Sequence, residues 1–354
     1  MSSSPLSHWL ADVSRVGAHN GAHRVALRAG ISVAVPLIAV WALGREDWTL
    51  YAAFGAFTAL YGRGDTTRDR LKMQSSAATV MVSSLVLGVL VARLPNPEWG
   101  VVVVACLWTM VVAAISDALR WHPPGPLFAV FALCAVASVP AASTHFADAL
   151  LVSVTSAAFS LLVGAAGHLL PRRRALAQAT PTPAVPARPP ARERWMLLAR
   201  FGVAAGLAGT LSTALGIGHP YWAIVAAIVP VAAATLSHSF ARATHRIGGT
   251  VLGLGVAWLI LTFEPVGLTA ILIVVALQIC AELLVGRNYG LALVFVTPLA
   301  LVMIALAHPT DTTALIRDRA IETALGTVVA LAVVVALWGI RRLAAPTPPN
   351  EAHA

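Results

Sequence analysis

Long apolar runs separated by short polar breaks recur along the chain from Val25 to Ile340. They lack the alternation of a half-buried strand, and most are about 15 to 25 residues long, the range that suits a bilayer-crossing helix. Hydrocarbon offers the backbone no hydrogen-bonding partner, which leaves helices or a closed barrel. The unalternating Ala, Val, Leu and Gly runs exclude the barrel. The sequence therefore predicts an all-α fold, a polytopic membrane helical bundle. The expected spans are 25–43, 48–62, 73–92, 100–119, 126–141 and 149–170, then 196–216, 221–237, 247–263, 266–285, 289–307 and 316–340, about twelve transmembrane helices in all.

The spans fall into two groups of six. Residues 1–24 form an N-terminal segment, 25–170 a first membrane unit, 171–195 a linker rich in Pro, Ala and Arg, 196–340 a second membrane unit, and 341–354 a tail. The halves read as an internal repeat. Arg28, Gly30 and Gly44 match Arg200, Gly202 and Gly216 at an offset of 172, and Ala-Leu-Gly closes the first helix in both. Arg68 and Lys72 match Arg242 and Arg246 at 174, Asp117 and Gly125 match Glu282 and Gly290 at 165, and Gly164 matches Gly326 at 162. Six is an even number, so the two six-helix repeats run parallel, an arrangement used by transporters.

Charge refines the topology. Only 11% of residues are charged and 58% are hydrophobic, with a net charge of +9. The basic residues are scattered between apolar spans instead of forming one soluble face, so the expected surroundings are a lipid bilayer and no nucleic acid. With the N-terminus inside, the inner segments hold eighteen Arg and Lys and the outer loops four, Arg45, Arg93, Arg317 and Arg319. That asymmetry predicts a multi-pass protein of the cell (inner) membrane with both termini cytoplasmic. Cys106, Cys134 and Cys280 stand alone in apolar spans without metal-ligand or redox spacing.

Candidate chemistry is sparse. In RATHRIGGTVLG (Arg242 to Gly253), Arg246 opens a helix at the inner surface, while Gly249 and Gly253 form a small-xxx-small face for close helix packing. Tyr221 and Trp222, at the outer end of a span, read either as an interfacial aromatic belt or as a stacking surface for an aromatic substrate. RATHRIGGTVLG, preceded by HPYWA (His219 to Ala223) and followed by RDRAIETALG (Arg317 to Gly326), resembles the fusaric acid resistance protein-like family, also described as aromatic acid exporter or integral membrane bound transporter domains. The resemblance covers roughly residues 196 to 340 and, more loosely, the first half. It implies six-helix repeats and export of aromatic carboxylic acids and related compounds.

The resemblance and the residue chemistry together predict a transporter, an exporter of small aromatic or organic anions by alternating access. Arg246, Arg317 and Arg319 are the candidate anion partners and Tyr221 and Trp222 the aromatic contacts. At an offset of 162, the first half has Thr155, Ala157 and Ser160 where the second has Arg317, Arg319 and Glu322, which biases the site toward the second half. Ionisable residues inside spans are few, and Asp117, Glu282 and Glu322 are the proton-coupling candidates. Arg28 and Arg200, at helix starts, and Asp117 and Glu282, at helix ends, each oppose a helix dipole, so either Arg28 pairs with Asp117 and Arg200 with Glu282, or the arginines snorkel to lipid phosphates while the acids reach water or neighbouring inner-loop arginines. No metal-ligand spacing, phosphate-cradling loop or activated nucleophile appears, and neither a metal, a cofactor nor an enzyme activity is expected. An anion channel and a non-transporting membrane scaffold or accessory subunit are the alternatives, and a homo-oligomer is left open.

Overall fold

A computed structural model describes residues 13–166, 190–233, 235–307 and 311–343. Residues 171–189 of the expected linker, 344–354 of the expected tail and 1–12 of the expected N-terminal segment lie outside the described residues.

The described chain is helical and without strands. In order, the helices are α1 (Ala22–Ala42), α2 (Thr49–Ala56), α3 (Thr67–Val91), α4 (Pro97–Leu119), α5 (Leu127–Ala137), α6 (Phe146–Ala166), α7 (Ala191–Ala214), α8 (Tyr221–Val231), α9 (Leu236–Leu261), α10 (Gly267–Leu284), α11 (Tyr289–Ala307) and α12 (Thr312–Leu343). Local signals set several of their ends. Thr66 and Thr235 cap α3 and α9 by accepting the N–H of Asp69 and His238. The repeated Ala-Leu-Gly works as a stop in both places, because Gly44 and Gly216 take φ of 68° and 66°, where a side chain is disfavoured. The helix α7 begins at Ala191, inside the stretch expected to be linker.

Nine described helices are long and apolar enough to cross a membrane. The expected spans 48–62, 126–141 and 221–237 are instead short. The second is eleven residues, and so is the third; the first is eight residues followed by the 3₁₀ turn Phe57–Leu60. Eleven residues reach about 16 Å, roughly half the hydrocarbon thickness. Proline bounds two of these helices: α5 starts after Pro126, and α8 starts after Pro220 and stops one residue past Pro230. The apolar runs suggested full spans because hydrophobicity reports burial, and these segments are buried in protein instead of lipid. Every residue of α2 and of α8 is buried. Backbone that ends part-way through the membrane is tolerated only in such surroundings.

Longer helices surround this interior. In the first half α3 packs on α5 and α6, and α2 on α6 and α1; in the second α9 packs on α11 and α12, and α8 on α12 and α7. Between the halves α1 lies on α10 and α4 on α7, while α5 meets α8 and α11 meets α2. Outward-facing Leu107, Leu162, Val251, Leu252 and Val328 are exposed, as lipid-facing positions are. At the α1–α2 corner Arg45 bonds both Asp47 and Asp148 and covers the Trp48 ring, and its hydrogen bond holds the Asp47 carboxyl below its ordinary range.

The glycine face expected on α9 is in contact with α11. A methyl group at Gly253 would lie 2.7 Å from Thr297 Cβ and 2.8 Å from the Leu293 carbonyl oxygen, and one at Gly249 would meet the Gly290 carbonyl. Gly255, on the same helix, faces open space. Gly253→Ala should therefore lower stability by about 1–3 kcal/mol through overpacking, whereas Gly255→Ala should be neutral or stabilising by up to about 1 kcal/mol. Thermal melts of the purified protein check this, and equal effects at the two positions would contradict the contact.

Candidate functional site

The charged residues of α12 divide at its first turns. Arg317 lies at the exposed rim, with its side chain 66% exposed, and bonds the neighbouring Asp318. Two residues on, Arg319 is 2% exposed and its guanidinium sits 3.9 Å over the Trp222 ring of α8. A further turn along, Glu322 is fully buried; its Oε1 accepts from the Ser212 hydroxyl of α7 at 3.2 Å and from the His219 N–H at 3.1 Å. His219 Nδ1 lies 3.1 Å from Asp318 Oδ2, so the connection before α8 is fastened to α12 twice.

Arg246, on α9, is 3% exposed and donates to the Tyr289 hydroxyl at the start of α11 at 3.0 Å. It lies within electrostatic range of Arg319, as do Tyr221, Glu322 and Tyr289. Two buried cations thus share one interior with one fully buried carboxylate beside them. Among the described residues, Nε and Nη1 of Arg319, Nε and Nη2 of Arg246, Oε2 of Glu322 and Nε1 of Trp222 have no hydrogen-bond partner. Most buried polar atoms in folded proteins are satisfied, and unsatisfied guanidinium donors are costly. The arrangement is therefore suited to a ligand that brings acceptor oxygens.

An aromatic wall adjoins these donors. Tyr221 and Trp222 are 2% and 1% exposed, which corrects their placement in an interfacial belt. Phe131 of α5 lies 5.0 Å from the Trp222 ring and 6.4 Å from Tyr221, bringing the first half into the wall. Of the expected residues, the fold gathers Arg246, Arg319, Glu322, Tyr221 and Trp222 and leaves Arg317 at the rim. Sequence reasoning missed Asp318, Ser212, His219 and Tyr289. The His219–Tyr221 segment was conspicuous, but Ser212 and Tyr289 carried no signal of their own.

The expected ion pairs have exchanged partners. Asp117 of α4 is bonded by Arg194 of α7 at 2.7 Å, and Glu282 of α10 pairs with Arg63, with Arg28 in electrostatic range. Arg200 donates to the Val231 carbonyl at the end of α8. The reason lies in packing. The first helix of each half rests on the fourth helix of the other, so charges expected to match within one half meet across the halves. Among the described residues no group of three His, Cys, Asp or Glu is arranged to hold a metal ion.

Residues 207–333, which contain most of this cluster, match the family described as fusaric acid resistance protein-like. The chain is also similar to an uncharacterized membrane protein, YvaC, of Bacillus subtilis (strain 168), with 31% identity over 140 residues, 39% of this chain and 22% of that protein. The chain thus spans about a fifth of the length of this curated relative. No solved structure matches the chain.

The exchanged pairing is open to a double-mutant cycle. Arg63→Gln and Glu282→Gln should be coupled by about 0.5–3 kcal/mol of stability, whereas Arg200→Gln and Glu282→Gln should add to within about 0.5 kcal/mol. Denaturation of the purified variants supplies both values, and the reverse ranking would restore the pairing read from the sequence.

Proposed function

We propose that this chain, which carries a fusaric acid resistance protein-like segment, is an inner-membrane transporter that exports small aromatic or organic anions by alternating access. It is membrane-embedded, and its family match points to transport in preference to catalysis. The observation that carries the anion reading is Arg319, a buried guanidinium with two unfilled donors lying against Trp222. A carboxylate accepting from those donors would satisfy them with charge-assisted bonds, and its ring would lie against Trp222, Tyr221 and Phe131. Arg246 supplies a second pair of unfilled donors toward the opposite side of the bundle.

The two six-helix units act as parallel repeats in this reading, supported by the matching Gly44 and Gly216 stops and by the matching order of helix contacts. Alternating access then consists of one unit rocking against the other along α1–α10 and α4–α7, where Arg63–Glu282 and Asp117–Arg194 cross between helices or their flanking segments. Glu322 is the favoured proton carrier, because it alone of the three candidates combines full burial, an unpartnered oxygen and a neighbouring buried arginine. An anion entering beside Arg319 competes with that carboxylate, which links the protonation state of Glu322 to anion binding. The excess of inner basic residues supports cytoplasmic termini.

Reconstituted vesicles offered external benzoate and its hydroxylated derivatives, measured against protein-free vesicles under the same pH gradient to subtract passive weak-acid partition, test the proposal. An exporter accumulates substrate against its gradient when a pH gradient is imposed. Losing charge-assisted bonds worth about 1.5–3 kcal/mol, Arg319→Gln should reduce flux by roughly tenfold or more, with Arg317→Gln close to wild type. Current without accumulation would identify a channel, and absence of flux for the whole panel would favour a scaffold.

A further inference from the structure

At the end of the bundle where the N-terminal segment lies, a second group of cations surrounds open space. A cavity of about 430 Å³ is lined by Arg15, His238, Arg242, His245, Arg287 and Tyr289, and among the described residues no Asp or Glu lines it. Glu282, a few residues before Arg287, is already engaged by Arg63. The starts of α9 and α11 also face this space, since His238 is the third residue of one and Tyr289 the first of the other. Their positive ends add to the field of the side chains. Among the described residues no hydrogen bond or ion pair holds the Arg15 or Arg242 side chain.

The N-terminal segment forms one wall. The Val13 carbonyl accepts from His245 Nε2 at 2.9 Å and from Asn288 Nδ2 at 3.1 Å, and the Arg15 carbonyl accepts from Asn288 Nδ2 at 3.1 Å. The Gly17 N–H donates to the Arg287 carbonyl at 2.8 Å, and its own carbonyl accepts from Arg287 Nε at 3.0 Å. The two segments lie close together, since a Cβ at position 17 would be in van der Waals contact with Arg287 Cα at 3.4 Å. All these bonds use the main chain of the segment. The Arg15 side chain is thereby left on the cavity wall with Arg242 and Arg287, which come from separate parts of the bundle.

Three guanidiniums with no carboxylate among the described residues, on a space large enough for a small ligand, match a tetrahedral oxyanion with several acceptor oxygens. We propose that this cavity binds a phosphate group through Arg15, Arg242 and Arg287, and that occupancy fastens the N-terminal segment to α9 and to the α10–α11 connection. The site uses none of the arginines of the Arg319 cluster, meets it only at Tyr289, the acceptor of the Arg246 hydrogen bond, and stands whether or not that cluster carries anions. The phosphate belongs either to a soluble ion or to an anionic lipid headgroup of the adjoining leaflet.

Limited trypsin cleavage after Arg15, together with the melting temperature of the full chain, reads occupancy directly. Inorganic phosphate is titrated in detergent against chloride at matched ionic strength, and phosphatidylglycerol is titrated in phosphatidylcholine nanodiscs. Saturable slowing of cleavage and a raised melting temperature are expected in at least one arm. A response to phosphate in detergent identifies a soluble ion, and a response only to phosphatidylglycerol identifies a lipid headgroup. Arg242→Gln, at an exposed position without a hydrogen bond to lose, should abolish the protection, Arg242→Lys should restore part of it, and Arg317→Gln should leave it intact. No protection in either arm, or the same protection in Arg242→Gln, would overturn the proposal.

Discussion

A guanidinium held inside an apolar bundle is the constraint around which the second half of this protein is arranged. Taking Arg319 out of water costs several kcal/mol even after relaxation, and the cost is offset only by what touches it. The Trp222 ring covers one face at 3.9 Å, and Glu322 lies within electrostatic range. Glu322 is itself tied to Ser212 and to the His219 backbone. Each of these partners comes from a different element, so α7, α8 and α12 are held in register by one polar cluster. The two donors of Arg319 that remain unfilled mark where that compensation stops.

The short helices follow from the same requirement. Trp222 is carried on an element buried on every side, since α8 is buried at all eleven positions. Such an element ends inside the membrane, where its free backbone groups need protein neighbours instead of lipid. Close approach of the surrounding helices supplies those neighbours. Gly326 lets α12 lie on the main chain of Ala223 in α8, and Gly249 and Gly253 let α9 lie on α11. Small residues here set the distance at which the polar cluster can close.

Much of this was legible in the sequence. Long apolar runs point to the fold class, and the GG-containing motif marks a close-packing face on α9 without identifying α11 as its partner. Tyr221, Trp222, Arg246, Arg319 and Glu322 were all singled out before any geometry was available. Hydrophobicity alone could not separate a span from a buried short helix, because both exclude water; hence 48–62, 126–141 and 221–237 read as full crossings. Nor could it tell Arg317 from Arg319, two residues apart and on different faces of one helix. The ion pairs were misassigned because repeat arithmetic matches positions within a half, whereas α1 packs on α10 and α4 on α7. Ser212 and the main chain of Val13 to Gly17 had no distinctive residue type to announce them.

Binding calorimetry on the purified protein examines the unfilled donors of Arg319 most directly. The account predicts that an aromatic carboxylate binds at least roughly tenfold more tightly than its neutral amide, the difference expected when charge-assisted bonds to a guanidinium are lost. In Arg319→Gln that preference should disappear while the amide affinity changes little. Equal binding of acid and amide by the wild-type protein, or an undiminished preference in Arg319→Gln, would contradict it.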